Sequence, residues 1–235
     1  MTRAAQSLAE SEGNLIVLAG VPLLADPRGA LYWAEQGLLA VADLHLEKGS
    51  SFAARGQLLP PYDTASTLAR LSHLIADYKP ERVIAVGDSF HDIGAPGRLG
   101  DVDRSNLRGL QCGREWIWIT GNHDPIPAEG VGGTFTDGLT VGPLTFRHLP
   151  TGAPGEVSGH LHPVARIAHR GRAVSRRCFA ADQVRMVMPA FGAYTGGLNV
   201  RDAAFADLFG TFAFTAHLLG DGRLYSFTAK RCLPD

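Results

Sequence analysis

The sequence predicts an α/β protein, and three observations carry that expectation. Leu38 to Ala42, Arg82 to Val86 and Trp116 to Ile119 are short runs dominated by apolar and β-branched residues, as expected of parallel strands buried on both faces. Between the first two runs lies a helical stripe, Leu68, Leu71, Ile75 and Tyr78, so strand, helix and strand alternate as in right-handed βαβ units. Each run also empties into polar residues: Asp43-Leu44-His45, Gly87-Asp88 and Gly121-Asn122-His123-Asp124. In open α/β sheets, ligands bind beyond the carboxyl ends of the strands.

The elements follow in order. Residues 1–12 are polar and alanine-rich, a loose terminus. Leu15 to Leu18, Pro22 to Leu24 and Leu31 to Trp33 read as short strands, with turns at Gly20 and at Asp26-Pro27-Arg28-Gly29. After His45 comes a stretch without periodicity, 46–63, read as a long loop. Asp63 or Thr64 caps the helix carrying the Leu68 stripe, and Pro80 stops it. Residues 94–103 form a glycine-rich loop, and 104–111 a short helix. Phe135 to Leu149 makes two strands around Gly142-Pro143, and Glu156 to Ser158 leads into Gly159-His160-Leu161-His162. A hairpin turns near Arg170-Gly171, Phe205, Leu208 and Phe209 mark a helix, and a last hairpin spans Phe212 to Phe227 over Asp221-Gly222. With no repeat, low-complexity tract or linker, residues 1–235 read as one domain.

Composition narrows the class. The 235 residues are 45% hydrophobic and 19% charged, ordinary for a soluble globular chain able to bury a full core. A net charge of −1 excludes a globally basic nucleic-acid binder, so any such surface must be local. Three cysteines without a CxxC pair argue against a disulfide scaffold and a thiolate zinc site. No stretch reads as a secretion signal or bilayer span, so the expectation is a cytoplasmic protein without membrane contact.

The residues just after the strands are Asp43, His45, Asp88, Asn122, His123, His148, His160 and His162. Carboxylates, imidazoles and an amide suit manganese, iron or zinc better than a soft-metal site. Asp-x-His and His-x-His put both side chains on one side of an extended backbone, because side chains alternate with period two. Asp43, His45, Asp88, Asn122, His148, His160 and His162 are too many donors for one centre. Two metals roughly 3.5–4 Å apart and sharing a carboxylate would use them all.

Taken in order, DLH at 43–45, GDSFHD at 87–92, GNHD at 121–124, His148 and GHLH at 159–162 resemble the calcineurin-like metallophosphoesterases, whose signature is DxH, GD, GNH(D/E), H and GHxH. Stretches 46–63 and 188–200 resemble, within them, the ligase-associated DNA damage response endonucleases. The resemblance implies a metallophosphoesterase-type four-layer αββα sandwich with two mixed sheets. It implies two divalent transition metals, manganese first, with iron or zinc as alternatives. One metal would be held by Asp43, His45, Asp88 and His162, the other by Asp88, Asn122, His148 and His160, with Asp88 bridging. A metal-bridging hydroxide would attack phosphorus. His123 would act as general acid, and Asp124 would orient its ring or raise its pKa. The implied substrate is DNA, foremost single-stranded, cleaved by an endonuclease in repair alongside ligase, helicase or nuclease partners. A small-nucleotide phosphodiesterase or phosphatase fits the same chemistry, and a non-catalytic scaffold would keep the fold alone.

Other polar residues have plainer readings beside functional ones. His91 either touches substrate or sits in a turn. Arg170, Arg172 and Arg176, with Arg166 and Arg177, either grip phosphates or form the polar face of a hairpin. Lys48 and Arg55 read as solvated loop charge.

Overall fold

The computed structural model describes residues 14–235; the loose terminus expected at 1–12 lies outside them. A first sheet runs in the order β1 (Leu15–Leu18), β2 (Val21–Ala25), β3 (Leu31–Trp33), β4 (Leu38–Ala42), β5 (Arg82–Val86), β6 (Glu115–Ile119), β7 (Thr134–Thr136). It is antiparallel from β1 to β4 and parallel from β4 to β7. Helices α1 (Lys48–Ala54), α2 (Asp63–Tyr78), α3 (Ala95–Arg98) and α4 (Asp101–Gln111) fill its crossovers. The second sheet holds β8 (Gly138–Val141), β9 (Leu144–Arg147), β10 (Glu156–Ser158), β11 (Pro163–His169), β12 (Arg172–Ala181), β13 (Arg185–Val187) and β14 (Leu198–Asn199). Helix α5 (Ala203–Phe209) follows, then β15 (Thr215–Leu219) and β16 (Leu224–Thr228), which extend that sheet from β12. β10 runs parallel to both of its neighbours, β9 and β13, while β11–β12 is an antiparallel hairpin.

Period-two alternation turns these sheets into four layers. On β4, β5 and β6, Ala40, Ala42, Ile84, Val86, Ile117 and Ile119 face inward, against Phe146, Val157, Phe179 and Met186 of the second sheet. Their alternates Leu39, Val41, Val83, Ala85, Trp116 and Trp118 face Leu68, Leu71, Leu74, Ile75 and Leu107 of α2 and α4. Beyond the second sheet, Cys178, Ala180 and Val187 pack on Phe205 and Phe209 of α5. Helix, sheet, sheet, helix is therefore the order of layers, the four-layer αββα sandwich with two mixed sheets. No helix among the described residues is long and apolar enough to cross a membrane.

Register positions the loops. Ala42 is level with Val86, and Val86 with Ile119, so the three first-sheet motifs leave at one edge. In the second sheet Arg147 and Val187 are level with Ser158. The isolated bridge Ala42–Ala190 and the bonds Phe191 N–H to Ala42 O and Gly192 N–H to Asp43 O stitch the two edges together.

Several elements differ from expectation. The supposed loop 46–63 contains α1, and 94–103 contains α3 and the start of α4. Neither Asp63 nor Thr64 caps α2; Tyr62 holds that position without a side-chain bond. Instead the Asp63 carboxylate accepts the Gly49 N–H, and the Thr64 hydroxyl accepts the Glu47 N–H while donating to the Glu47 carboxylate. These side chains tie α1 to α2, a tertiary use that local cap chemistry does not signal.

The far end of α2 is fastened to the β2–β3 turn by buried Asp26. Its carboxylate accepts the Arg28 backbone N–H, the Arg28 guanidinium and the Tyr78 hydroxyl, while Arg28 also pairs with Asp77. Burial alone would raise the Asp26 pKa, but the bonds from Arg28 and Tyr78 outweigh it and hold it below the usual carboxylate value. A depressed folded-state pKa stabilises above the unfolded value, and that contribution fades as pH falls through the lower folded value. Tyr78→Phe is therefore expected to cost about 1 kcal/mol at pH 7, and less as the pH falls past the usual carboxylate value toward the lower folded value of Asp26. Denaturant titrations of both proteins at pH 7 and pH 3 measure this; an equal penalty at both values refutes it.

Candidate metal centre

Beyond the stitched strand edges the backbone leaves regular structure. Asp43, His45, Asp88, His160 and His162 all have positive φ, between 43° and 69°. The extended geometry expected for Asp-x-His and His-x-His is therefore corrected: left-handed turns, not strand alternation, bring each pair together. Non-glycine residues rarely adopt this region, and each costs on the order of 1–3 kcal/mol. The loops after β4 and β5 are zipped by bonds from Asp43 N–H to Gly87 O, His45 N–H to Asp88 O, Leu46 N–H to Ser89 O and His91 N–H to Leu46 O.

Two glycines make room for this crowding. A Cβ at Gly87, whose φ is +72°, would collide with the His148 ring, and one at Gly121 would collide with the Asp88 carboxylate. The glycines of GD and GNHD are thus demanded by the His148 and Asp88 side chains that pack against them.

Two donor groups result. Asp43, His45 and His162 offer atoms within 4.8 Å of one another, and so do Asp88, His148 and His160. In the first, His162 Nε2 is 3.3 Å from both His45 Nε2 and Asp43 Oδ1. In the second, His148 Nε2 lies 3.3 Å from Asp88 Oδ2, 3.2 Å from His160 Nδ1 and 2.9 Å from Asn122 Oδ1. Asp88 Oδ2 is also 4.0 Å from His45 Nε2, which places it between the groups. Imidazole nitrogens turned toward one another at 3.2–3.3 Å, among buried carboxylate oxygens, form a donor set that suits divalent cations. Asp43, His45, Asp88, Asn122, His148, His160 and His162 are therefore all brought to one place, and His123 and His91 join them. The groups can hold divalent metal.

The electrostatics fit a shared carboxylate. Burial would raise Asp88, but the His148 hydrogen bond and charge and the His123 backbone N–H outweigh it and hold Asp88 at about 2. Burial, opposed by Asp88 but reinforced by His162, His123 and His91, presses His45 down to about 3. Burial would lower His148, yet its bond to Asp88 and the charge of Asp43 raise it.

His123 and Asp124 take separate parts. His123 Nδ1 lies 2.8 Å from the His91 carbonyl oxygen, so an Nδ1–H donates there and Nε2 faces Asp88 Oδ2 at 4.0 Å. The expectation that Asp124 orients this ring is corrected, because a backbone carbonyl does so. Asp124 instead accepts the N–H groups of Ser89, Phe90 and Gly121, fastening the β5 and β6 loops together. Burial raises its pKa to about 6, against the bonds from those amides. The His91 ring stacks on His123 with centroids 5.2 Å apart, and its Nδ1 is 3.4 Å from His45 Nδ1. His45, His91 and His123 form a third group with metal-donor spacing, sharing His45 with the first.

The arginine hairpin is partly drawn into structure. Arg177 donates to the carbonyls of Ala190, Ala193 and Thr195, and Arg166 to that of Pro234. Arg170, Arg172 and Arg176 are exposed. Arg176 is level with Ala165, three residues past His162, whereas the Arg170 tip is seven residues past Pro163, roughly 23 Å along the strand. The strip leads away from the donor groups; it does not rim them. The reading of the sequence missed the His91 carbonyl, which carries no side-chain signal, and the bracing of Asp92 by Arg98, at 2.8 and 2.9 Å.

No family model matches the chain, and no curated protein matches it. Among solved structures it is similar to the nuclease MPE of Pseudomonas putida, with 29% identity over 91% of this chain and 98% of that one and a TM-score of 0.70. That likeness agrees with the metallophosphoesterase resemblance carried by the five motifs and with the four-layer arrangement it implies.

Asp124→Ala would strand three N–H groups, two of them buried and one half-buried, each worth about 1–3 kcal/mol. The expected loss is at least about 3 kcal/mol, a fall in Tm of roughly 6–12 °C for a chain of this length. Thermal denaturation checks it, and a change under 2 °C would mean that the loops are held by other contacts.

Proposed function

We propose that this protein is a metal-dependent phosphodiesterase that hydrolyses DNA, a repair endonuclease formed by one domain over 1–235. One observation carries the reading: two carboxylate–imidazole groups lie side by side, with buried Asp88 of the second only 4.0 Å from His45 of the first and His123 beside it. The likeness to a nuclease supports a nucleic-acid substrate over other phosphodiesters. Asp43, His45, Asp88 and His162 are assigned to one cation, and Asp88, Asn122, His148 and His160 to a second, with manganese the native choice ahead of iron or zinc. When bound, such a pair clamps a phosphate and acidifies a water for in-line attack.

The chain's own residues supply the rest. Asp88 stays ionised because its partners hold its pKa at about 2, so it serves as a ligand at any physiological pH. His123 is tethered at Nδ1 by the His91 carbonyl, which leaves Nε2 to hand a proton to the leaving alkoxide. Asp124 acts as a positioning residue, by fixing the loop that carries Asn122 and His123. His91, stacked on His123, would meet the substrate on the same side. Single-stranded DNA is the proposed form, since a flexible strand can bend a phosphate into a recessed cluster. Ligase, helicase and nuclease proteins of repair are the proposed associates.

Asp88→Ala should abolish hydrolysis of DNA and of bis(p-nitrophenyl) phosphate and lower metal uptake. Metal analysis of the wild type should give two manganese ions per chain; full activity at one ion would end the two-metal assignment. His123→Ala should keep its metal yet slow DNA cleavage by roughly 10²–10⁴-fold. Its effect on bis(p-nitrophenyl) phosphate should be smaller, because nitrophenolate leaves without a proton. Equal slowing of both substrates would remove His123 from the acid role.

A polymer needs grip away from the scissile bond, and exposed Arg170, Arg172 and Arg176 are the proposed phosphate contacts along β11–β12. Replacing all three with Gln should weaken DNA cleavage and reduce the slope of its dependence on salt by about one unit per lost contact. Parallel salt titrations of wild type and variant measure that slope; an unchanged slope would place the strand elsewhere.

A further inference from the structure

Beside the stacked His91 and His123 rings, the surface is indented by a notch of about 320 Å³ that the proposed chemistry does not use. The residues that follow those two histidines in the chain, Asp92 and Asp124, line the notch, which ties it to the two loops that carry the candidate general acid and its stacked neighbour. Ile93 and Pro96 contribute to one side, Ile126 and Pro127 to the other. Both isoleucines are exposed, at 64% and 59%. A lone exposed aliphatic residue needs no explanation, but two that converge on one concavity with two prolines do.

The walls are rigid. Arg104 donates to the Pro96 and Gly130 carbonyls and so spans the notch from one side to the other. Arg98 grips both oxygens of Asp92, and Asp124 is pinned by three amides. These bonds brace the loops that carry the apolar residues, which lowers the cost of ordering them when something enters.

Size and charge select the occupant. At about 320 Å³ the space has ample room for one nucleobase. The lining carries three carboxylates, Asp92, Asp124 and Glu129, against Arg104. With Asp92 held by Arg98, Asp124 by three amides and Arg104 by two carbonyls, the notch favours an uncharged group with apolar faces over a phosphate. We infer that this notch seats one nucleobase, that of the nucleotide leaving from His123's side of the scissile phosphate. The inference rests on the phosphodiesterase reading above and adds a base subsite to it.

The test uses a short single-stranded oligonucleotide with one ordinary phosphodiester, its other linkages being uncharged methylphosphonates. It is made intact, or abasic at the nucleotide on either side of the cleavable bond. Wild-type enzyme with manganese should lose about tenfold in kcat/KM when the leaving-side base is removed, the order that one base contact supports. Loss of the other base should matter less. Ile93→Ser/Ile126→Ser should cleave the intact strand at the wild-type rate for the abasic one and no longer distinguish the two. As a readout without turnover, 2-aminopurine at the leaving-side position should change fluorescence on binding wild type without metal, and not on binding the double variant. Discrimination retained by the double variant, or absent in the wild type while the strand is cleaved, overturns the base subsite and leaves the phosphodiesterase reading standing. If wild type cleaves neither the strand nor bis(p-nitrophenyl) phosphate, that reading fails and the subsite falls with it.

Discussion

The Asp88 carboxylate, 2% exposed, is the group on which the rest of the centre depends. An isolated carboxylate buried to this degree costs several kcal/mol, and only close partners offset it. His148 Nε2 at 3.3 Å and the His123 backbone N–H at 2.8 Å are those partners, one from each sheet. The carboxylate therefore joins the sheets electrostatically at the edge where the Ala42–Ala190 bridge joins them by backbone. Removing its partners would leave a buried charge, which is why the imidazoles must stay close even though their nitrogens crowd one another.

Crowding of this kind is held against a gradient. Five candidate ligand residues have left-handed backbone, and at about 1–3 kcal/mol each the strain is comparable with the net stability of an ordinary domain. It persists because the flanking strands are over-determined. Residues 38–42 are buried throughout, and the inner faces of both sheets share one apolar cluster. Asp124 adds three amide bonds where the loops would otherwise part. Stability is thus concentrated in the layers and spent at their edge, in line with the general placement of strain at functional sites.

Around the centre the surface changes character over a short distance. Inside are carboxylates and imidazoles; beside them lies the isoleucine and proline notch; farther out is the arginine hairpin. A polymer substrate has three kinds of surface to match: a phosphate to be cleaved, bases to be seated and flanking phosphates to be gripped. The reading proposed here assigns one surface to each, and it accounts for a chain of net charge −1 handling a polyanion through local charge alone.

The central strands and the inventory of donors are legible in the amino-acid order alone. Apolar runs at 38–42, 82–86 and 116–119 admit little besides buried parallel strands, and the polar residues that end them follow from the same reading. Motif order made the family resemblance and the four layers legible, since DLH, GD, GNHD, His148 and GHLH stand close to where register later brings them. Local chemistry did not reveal α1, because its seven residues include a glycine and two serines, nor the true work of Asp63 and Thr64. The pairing of Asp43 with His45 emerges on folding, through left-handed turns that no side-chain pattern encodes. The folded chain alone showed that a backbone carbonyl holds the His123 ring while Asp124 fastens loops. It also joined Ile93 to Ile126, 33 residues apart, in one notch. Side-chain chemistry is written residue by residue, but convergence depends on strand register and loop strain, which are properties of the packed chain.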